Sequence, residues 1–304
     1  MRMSFVGLLA VACSTVSCGT DAAPVAQAIL GDVWTDRTIA VGEGDSLHVV
    51  HRGLSHPRTI VFVPGLADTW ESYQSLAAAL SDSFGMVLVD ALGHGESTRR
   101  PGTSAPPRQS AALAAALDSL GVRPFAMIGH SYGGVIVQHY GAAHPELPAA
   151  VLMATMPTLR GHPADSAFAS LAATIPDTVP EEILAGQAAS FFVEPPDNVV
   201  GPYIEASRAT PGHVWREVVT ALRTTDTRPM LAAWRPRTLL VMAENDRVVG
   251  SFGMDALRAA LPNAEVARIE RTSHAMHWER PDTVAAVIAA FLHRSSEATA
   301  RTVP

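Results

Sequence analysis

Gly129-His130-Ser131-Tyr132-Gly133 separates two apolar runs, Phe125-Ala126-Met127-Ile128 before it and Gly134-Val135-Ile136-Val137 after it. A strand that turns sharply through a serine into a helix lifts that hydroxyl clear of the sheet. Glycine on both sides of a serine at this spacing arises by chance in roughly one chain in nine of this composition. The pattern therefore has to be supported by the rest of the chain.

Outward from that stretch the chain alternates. Towards the N-terminus, Arg37–Val41 and Leu47–Arg52 flank Gly42-Glu43-Gly44-Asp45, which is hairpin-turn chemistry. Thr59–Val63 is a continuous apolar run stopped by Pro64-Gly65, the pattern of a strand buried on both faces. Trp70–Leu80 has helical spacing, Met86–Val89 reads as a strand ending at Asp90, and Arg108–Leu120 is an Ala/Leu helix closed by Gly121. On the other side, Tyr132–His144 is a helix stopped by Pro145, and Ala149–Met153 is another strand. The alternation predicts an α/β fold: a mostly parallel, twisted sheet flanked by helices, behind an antiparallel hairpin.

Residues 156–234 break the rhythm with many prolines and short helical pieces, such as Glu181–Phe192 and Val214–Leu222, and no strong strand. This stretch reads as a helical insertion. Strand Thr238–Met242, helix Ser251–Leu261, strand Ala264–Ile269 and an amphipathic helix from Pro281 to His293 then resume the pattern. The core is expected to comprise residues 33–155 and 235–297.

Ligands bind an open parallel sheet beyond the carboxyl ends of its strands. Ser131, Asp246, His274 and Leu66 all fall at such ends, and the first three occur in the order serine, acid, histidine.

Several motifs now carry a resemblance. Gly129-His130-Ser131-Tyr132-Gly133-Gly134, Asp90-Ala91-Leu92-Gly93-His94-Gly95-Glu96-Ser97 and His274 to Pro281 are similar to the nucleophile elbow, the loop after the fourth strand and the histidine loop of the α/β-hydrolase superfamily. The similarity covers about residues 37–295, and the insertion at 156–234 sits where that family carries its helical cap. The resemblance implies a serine hydrolase of esterase or lipase type. Pro64 departs from the His often found before the oxyanion glycine, and Ala243 and Ser273 stand where glycines are common.

A serine hydroxyl needs an adjacent base to attack at neutral pH. His274 is the expected base and then acid, with Asp246 orienting its imidazole; Glu244 and His277 are the rival acid and base. The amides of Leu66 and Tyr132 are the expected oxyanion donors. Trp70, Phe168, Phe191, Phe192 and Trp215 are candidate walls of the substrate pocket.

A serine nucleophile implies acyl transfer to water, with a carboxylic ester the first expectation and no cofactor or metal required. An aminopeptidase holding a free amine on Glu181, Glu182, Glu194 or Glu205, a lactonase, and a cofactor-free haloperoxidase or perhydrolase are the alternatives. A binding protein without catalysis is a remote one.

The remaining composition bounds the setting. The net charge is −7 and all 22 basic side chains are arginine, with no basic run, which argues against a nucleic-acid partner. Arg2, the apolar stretch Phe5–Ala12 and a small-residue exit describe a secretory leader over residues 1–17. Val16-Ser17-Cys18 resembles a lipoprotein cleavage site, so Cys18 is the expected lipidation point and 18–32 the tether; Cys13, or an ordinary cut near Ala22 or Ala23, stays open. The expected partner is a small ester-like substrate, with membrane contact only through that anchor. Both cysteines lie in this leader region, so the mature domain has no internal disulfide.

Overall fold

The computed structural model describes residues 34–300; the expected leader, tether and Cys18 lie outside them. Strands β1 (Thr35–Gly42) and β2 (Asp45–Arg52) form the expected hairpin, turning through Glu43 and Gly44, both at positive φ. Such a turn matches the twist of the strands it joins. The remaining strands are β3 (Thr59–Val63), β4 (Gly85–Val89), β5 (Pro124–His130), β6 (Ala149–Met153), β7 (Arg237–Ala243) and β8 (Glu265–Ile269). They form one sheet in the order β1-β2-β4-β3-β5-β6-β7-β8. β2 alone runs against the others; every pair from β4 to β8 is parallel.

The apolar runs of β3, β4 and β6 are buried at every position. Alternate residues of a strand point to opposite faces, and both faces are covered. Val61, Val63, Val87 and Val89 pack with helices α2 (Pro106–Ser119), α3 (Tyr132–Ala143) and α9 (Gly250–Ala260) through Leu113, Leu117, Ile136 and Leu257. Ile60, Phe62, Met86 and Leu88 pack on the other face with α1 (Gln74–Leu80) and α10 (Pro281–Ala300) through Leu76, Leu80, Ile288 and Phe291.

The helix starts expected at Trp70 and Arg108 differ from those observed. Trp70–Tyr73 is a 3₁₀ turn leading into α1 rather than part of it. α2 starts two residues early because Pro106 and Pro107 occupy its first turn, where a missing N–H has no helical partner to lose.

No strand forms between β6 and β7. Helices α4 (Asp165–Thr174), α5 (Glu181–Phe191), α6 (Val200–Ala209), α7 (Gly212–Thr224) and α8 (Arg228–Leu231) fill the insertion. α7 has the clearest apolar stripe, and its two sides serve different neighbours. Val214 and Val218 join the core around α2 and α3, while Trp215 closes a smaller core with Ile175, Val179, Leu184 and Ala67. No helix among the described residues is long and apolar enough to cross a membrane.

Candidate active site

Ser131 sits between β5 and α3 with φ 52° and ψ −119°, a conformation that crowds any side chain. The flanking glycines make the turn sterically feasible. A Cβ at Gly129 would lie 2.6 Å from the Gly133 carbonyl oxygen, and one at Gly133 would lie 2.2 Å from the Val63 carbonyl oxygen. Both spaces are taken by backbone, so neither site accepts a larger residue. The Ser131 amide donates to Met153 O at 3.0 Å, and its carbonyl accepts from Gly134 N at 3.0 Å and from the Thr155 hydroxyl at 2.6 Å. Thr155 is thus a support that sequence reasoning missed. It lies just past β6 and no motif singles it out.

The loop after β3 passes against this turn: a Cβ at Gly65 would stand 3.3 Å from Ser131 Cβ. Leu66 follows and lines the same cavity as Ser131. Among the described residues neither the Leu66 nor the Tyr132 amide donates to a protein carbonyl, so both remain available to a ligand oxygen. The phenol of Tyr132 points elsewhere, donating to Ser104 O at 2.7 Å.

Asp246, beyond β7, and His274, beyond β8, meet. His274 Nδ1 lies 3.1 and 3.2 Å from the two Asp246 carboxylate oxygens. Asp246 Oδ1 also accepts from the amides of Val248 at 2.8 Å and Val249 at 3.0 Å. Burial acts against this carboxylate, but the His274 charge and hydrogen bond and the two amides outweigh it and hold its pKa below the usual value. With Nδ1–H donating to Asp246, Nε2 carries the lone pair. That nitrogen is buried and has no hydrogen-bond partner among the described residues. The structure therefore joins acid to histidine but does not close a hydrogen bond from His274 to Ser131. Such bonds tighten once substrate is bound.

The rivals lie elsewhere. Glu244 is half outside, accepting from the Arg271 amide at 2.9 Å and Arg268 at 3.3 Å. His277 stacks on Tyr73 and faces Asp68 at 3.5 Å. His130 donates from Nε2 to His274 O at 2.9 Å and lies under its ring, with centroids 4.7 Å apart. Burial, then the charges of His277 and His274, push its pKa well below normal, so it stays neutral and its Nδ1 keeps a lone pair. Asp68, His130 and His277 offer donor atoms all within 4.8 Å of one another. They are the one donor set among the described residues suited to a metal, and the chemistry available at Ser131 requires none.

A cavity of about 270 Å³ opens at Ser131 and Leu66 beneath the cap. Phe168, Phe191 and Trp215 line it, with Leu171, Ile183 and Val219, and Arg247 is its only charged wall among the described residues. Trp70 and Phe192 do not line it. Trp70 stands edge-on to His48 at 6.3 Å and packs into the core beside α1, and Phe192 stands edge-on to Tyr203 at 5.1 Å. The end of α5 decides this: Phe191 is its last helical residue and faces the cavity, while Phe192 follows in extended backbone and turns away. Two larger hollows, of about 460 and 640 Å³, lie at the opposite ends of the strands, far from these groups.

A second feature passed unnoticed in the sequence, where Glu279 reads only as the close of the histidine loop. Its carboxylate is 4 % exposed and accepts three amides: Ser273 at 2.7 Å, Val193 at 2.7 Å and Glu194 at 2.9 Å. Ser273, standing where glycine is common, places its hydroxyl 2.9 Å from Ser190 O and 3.0 Å from Asn245 O.

Comparison with known proteins points to one family. The profile of the "Alpha/beta hydrolase family" matches residues 60–287. Lipase LipV of Mycobacterium tuberculosis is 34% identical over 107 residues, 35% of this chain but only 40% of that protein's length. The pimeloyl-[acyl-carrier protein] methyl ester esterase of Xanthomonas campestris is 25% identical over 79% of this chain and 96% of its own. Among solved structures, an esterase from Exiguobacterium antarcticum superposes with a TM-score of 0.78, covering 85% of this chain and all of that one at 17% identity.

Proposed function

The chain belongs to the alpha/beta hydrolase family, and on that premise we propose that it is a serine esterase that works through an acyl-enzyme on Ser131. One observation carries the reading: a buried imidazole that Asp246 orients, its Nε2 unpartnered, lies over the ring of His130, the chain neighbour of a serine held at a strained strand-to-helix turn.

In this reading Ser131 Oγ attacks the ester carbonyl as its proton passes to His274 Nε2. The resulting oxyanion accepts from the Leu66 and Tyr132 amides, the second at the N-terminus of α3, where the helix dipole also favours negative charge. His274 then protonates the departing alkoxide, which leaves as the alcohol. Water attacks the acyl-enzyme by the same route, giving the carboxylic acid and restoring Ser131. Asp246 stabilises the imidazolium and keeps it in the productive tautomer.

The cavity walls favour an apolar acyl or alcohol group of modest size. A free amine is poorly served. Glu181 and Glu205 pair with Arg208, and Glu194 pairs with Arg271 and Arg280; neither these nor Glu182 line the cavity. This favours esters over aminoacyl substrates.

The reading predicts that a fluorophosphonate probe labels Ser131, that Ser131→Ala abolishes labelling, and that p-nitrophenyl esters turn over. A folded wild-type protein that is neither labelled nor active on any ester overturns it. The leader pattern ending near Cys18 supports a reaction outside the cytoplasm, on a lipid anchor; wild type that takes up no fatty-acyl label would remove the anchor from the reading, and label that persists in Cys18→Ala would move it to another residue.

A further inference from the structure

The cap segment 190–194, at the end of α5, and the loop 273–280, which carries His274, are joined by more contacts than packing requires. Glu279 accepts the Val193 and Glu194 amides from the cap with one oxygen and the Ser273 amide from the histidine loop with the other. The Ala275 amide donates to Phe191 O at 3.0 Å, and the Ser273 hydroxyl reaches Ser190 O. The edge of the Phe191 ring meets the His274 ring, with centroids 4.5 Å apart. On the outside, Glu194 receives both Arg271 and Arg280 from the loop side of the joint. Ser190 and Phe191 also line the cavity beside Ser131.

We propose that Glu279 is a positioning residue: it locks the cap segment 190–194 to the histidine loop, so that the group filling the cavity helps set the place of His274. The inference rests on the serine esterase reading. Its physical basis is the shared carboxylate. A buried carboxylate that accepts three N–H groups is a strong, charge-assisted anchor, and removing it leaves three amides without their acceptor, that of Ser273 in a buried place. The two segments it joins are far apart in the chain (|i−j| = 86 for Val193 and Glu279), so only such cross-links couple them, and this carboxylate is the one that grips both segments with a single side chain. Because His274 Nε2 has no partner in the empty site, its approach to Ser131 depends on the loop that holds it and on the aromatic edge of Phe191 beside it. An acyl chain pressing on Phe191 and Ser190 therefore presses on the histidine as well.

The test compares wild type, Glu279→Gln and Glu279→Asp across p-nitrophenyl esters from C2 to C12. Gln keeps one acceptor but turns an NH₂ group towards an amide; Asp keeps the charge but falls short of one segment. Wild-type kcat is expected to rise with chain length until the cavity is full. In Glu279→Gln, kcat is expected to fall tenfold to a hundredfold with KM changed less than threefold, and its rise with chain length to flatten. The rate of fluorophosphonate labelling falls in parallel, and Glu279→Asp regains part of both. Amide hydrogen exchange at Val193, Glu194 and Ser273 is expected to speed up together in either variant, a readout that does not depend on turnover. A folded Glu279→Gln with kcat within twofold of wild type, or one that loses only KM, overturns the proposal. If Glu279→Gln does not fold, the same criteria apply to Glu279→Asp, and exchange that stays unchanged in that variant overturns the proposal. An unlabelled wild type instead overturns the esterase reading and leaves the exchange result to decide the clamp.

Discussion

His48 Nδ1 lies 2.8 Å from Asp90 Oδ2 in the buried floor under the loop that follows β4. Asp90 also accepts the Trp70 amide at 2.8 Å and the Glu96 amide at 3.0 Å, and the other His48 nitrogen reaches Asp36 at 3.0 Å. One carboxylate thus ties the hairpin, the turn before α1 and the loop after β4. Burial alone would lower the His48 pKa, but the hydrogen bond and charge of Asp90, with Asp36 behind, raise it from 6.5 to about 9. A histidine whose folded pKa lies above its unfolded one stabilises most below the unfolded value. That contribution is full below pH 6.5 and is lost as pH rises through about 9. His48→Gln is therefore expected to lower Tm at pH 6, with the gap to wild type closing above pH 9; thermal melts across that range measure it. A gap that is constant with pH means His48 is not charged there.

Asp246→Asn should leave the fold intact, because the side-chain oxygen can still accept the Val248 and Val249 amides. The amide NH₂ would then face Nδ1 and favour the tautomer with the proton on Nε2, the wrong one for a base. In a serine triad that error lowers kcat by about 10⁴-fold. Steady-state kinetics beside a thermal melt separate the two effects, and a drop of less than tenfold removes Asp246 from the machinery.

Ser131 carries a side chain at φ 52°, where glycine is at ease. Backbone strain of this kind amounts to about 1–3 kcal/mol. Ser131→Gly is accordingly expected to be inactive and to melt above Ser131→Ala, which keeps the Cβ and therefore the strain. Equal melting temperatures would mean that the turn stores nothing.

The parts of the fold visible in the sequence are those where one local rule decides. Thr59–Val63 had to be buried on both faces, and Gly42–Asp45 had to turn. Gly129 and Gly133 flank a serine because backbone occupies the space on either side, so the elbow shows in the letters themselves. The cap obeys no such rule. α4 and α6 show no inner face in the letters: α4 has no fully buried residue, and α6 buries only Tyr203 and Ser207. The aromatic character that makes Phe192 and Trp70 candidate walls says nothing of the direction a ring faces. Thr155 and Glu279 were out of reach for another reason. Each acts on backbone groups distant in the chain (|i−j| = 24 for Thr155 and Ser131), and a hydrogen bond to a main-chain amide or carbonyl leaves no trace in the identity of its partner.

The small core closed by Trp215 has a wider meaning. Four of its five buried members, Ile175, Val179, Leu184 and Trp215, belong to the cap, but the fifth, Ala67, follows Leu66, the proposed oxyanion donor. The insertion does not merely rest on the sheet; its own interior is completed by the loop after β3. A cap borrowed from a relative would arrive with that interior open unless the loop came with it. Changing single side chains around the cavity leaves that shared interior closed, whereas exchanging the cap as a unit opens it.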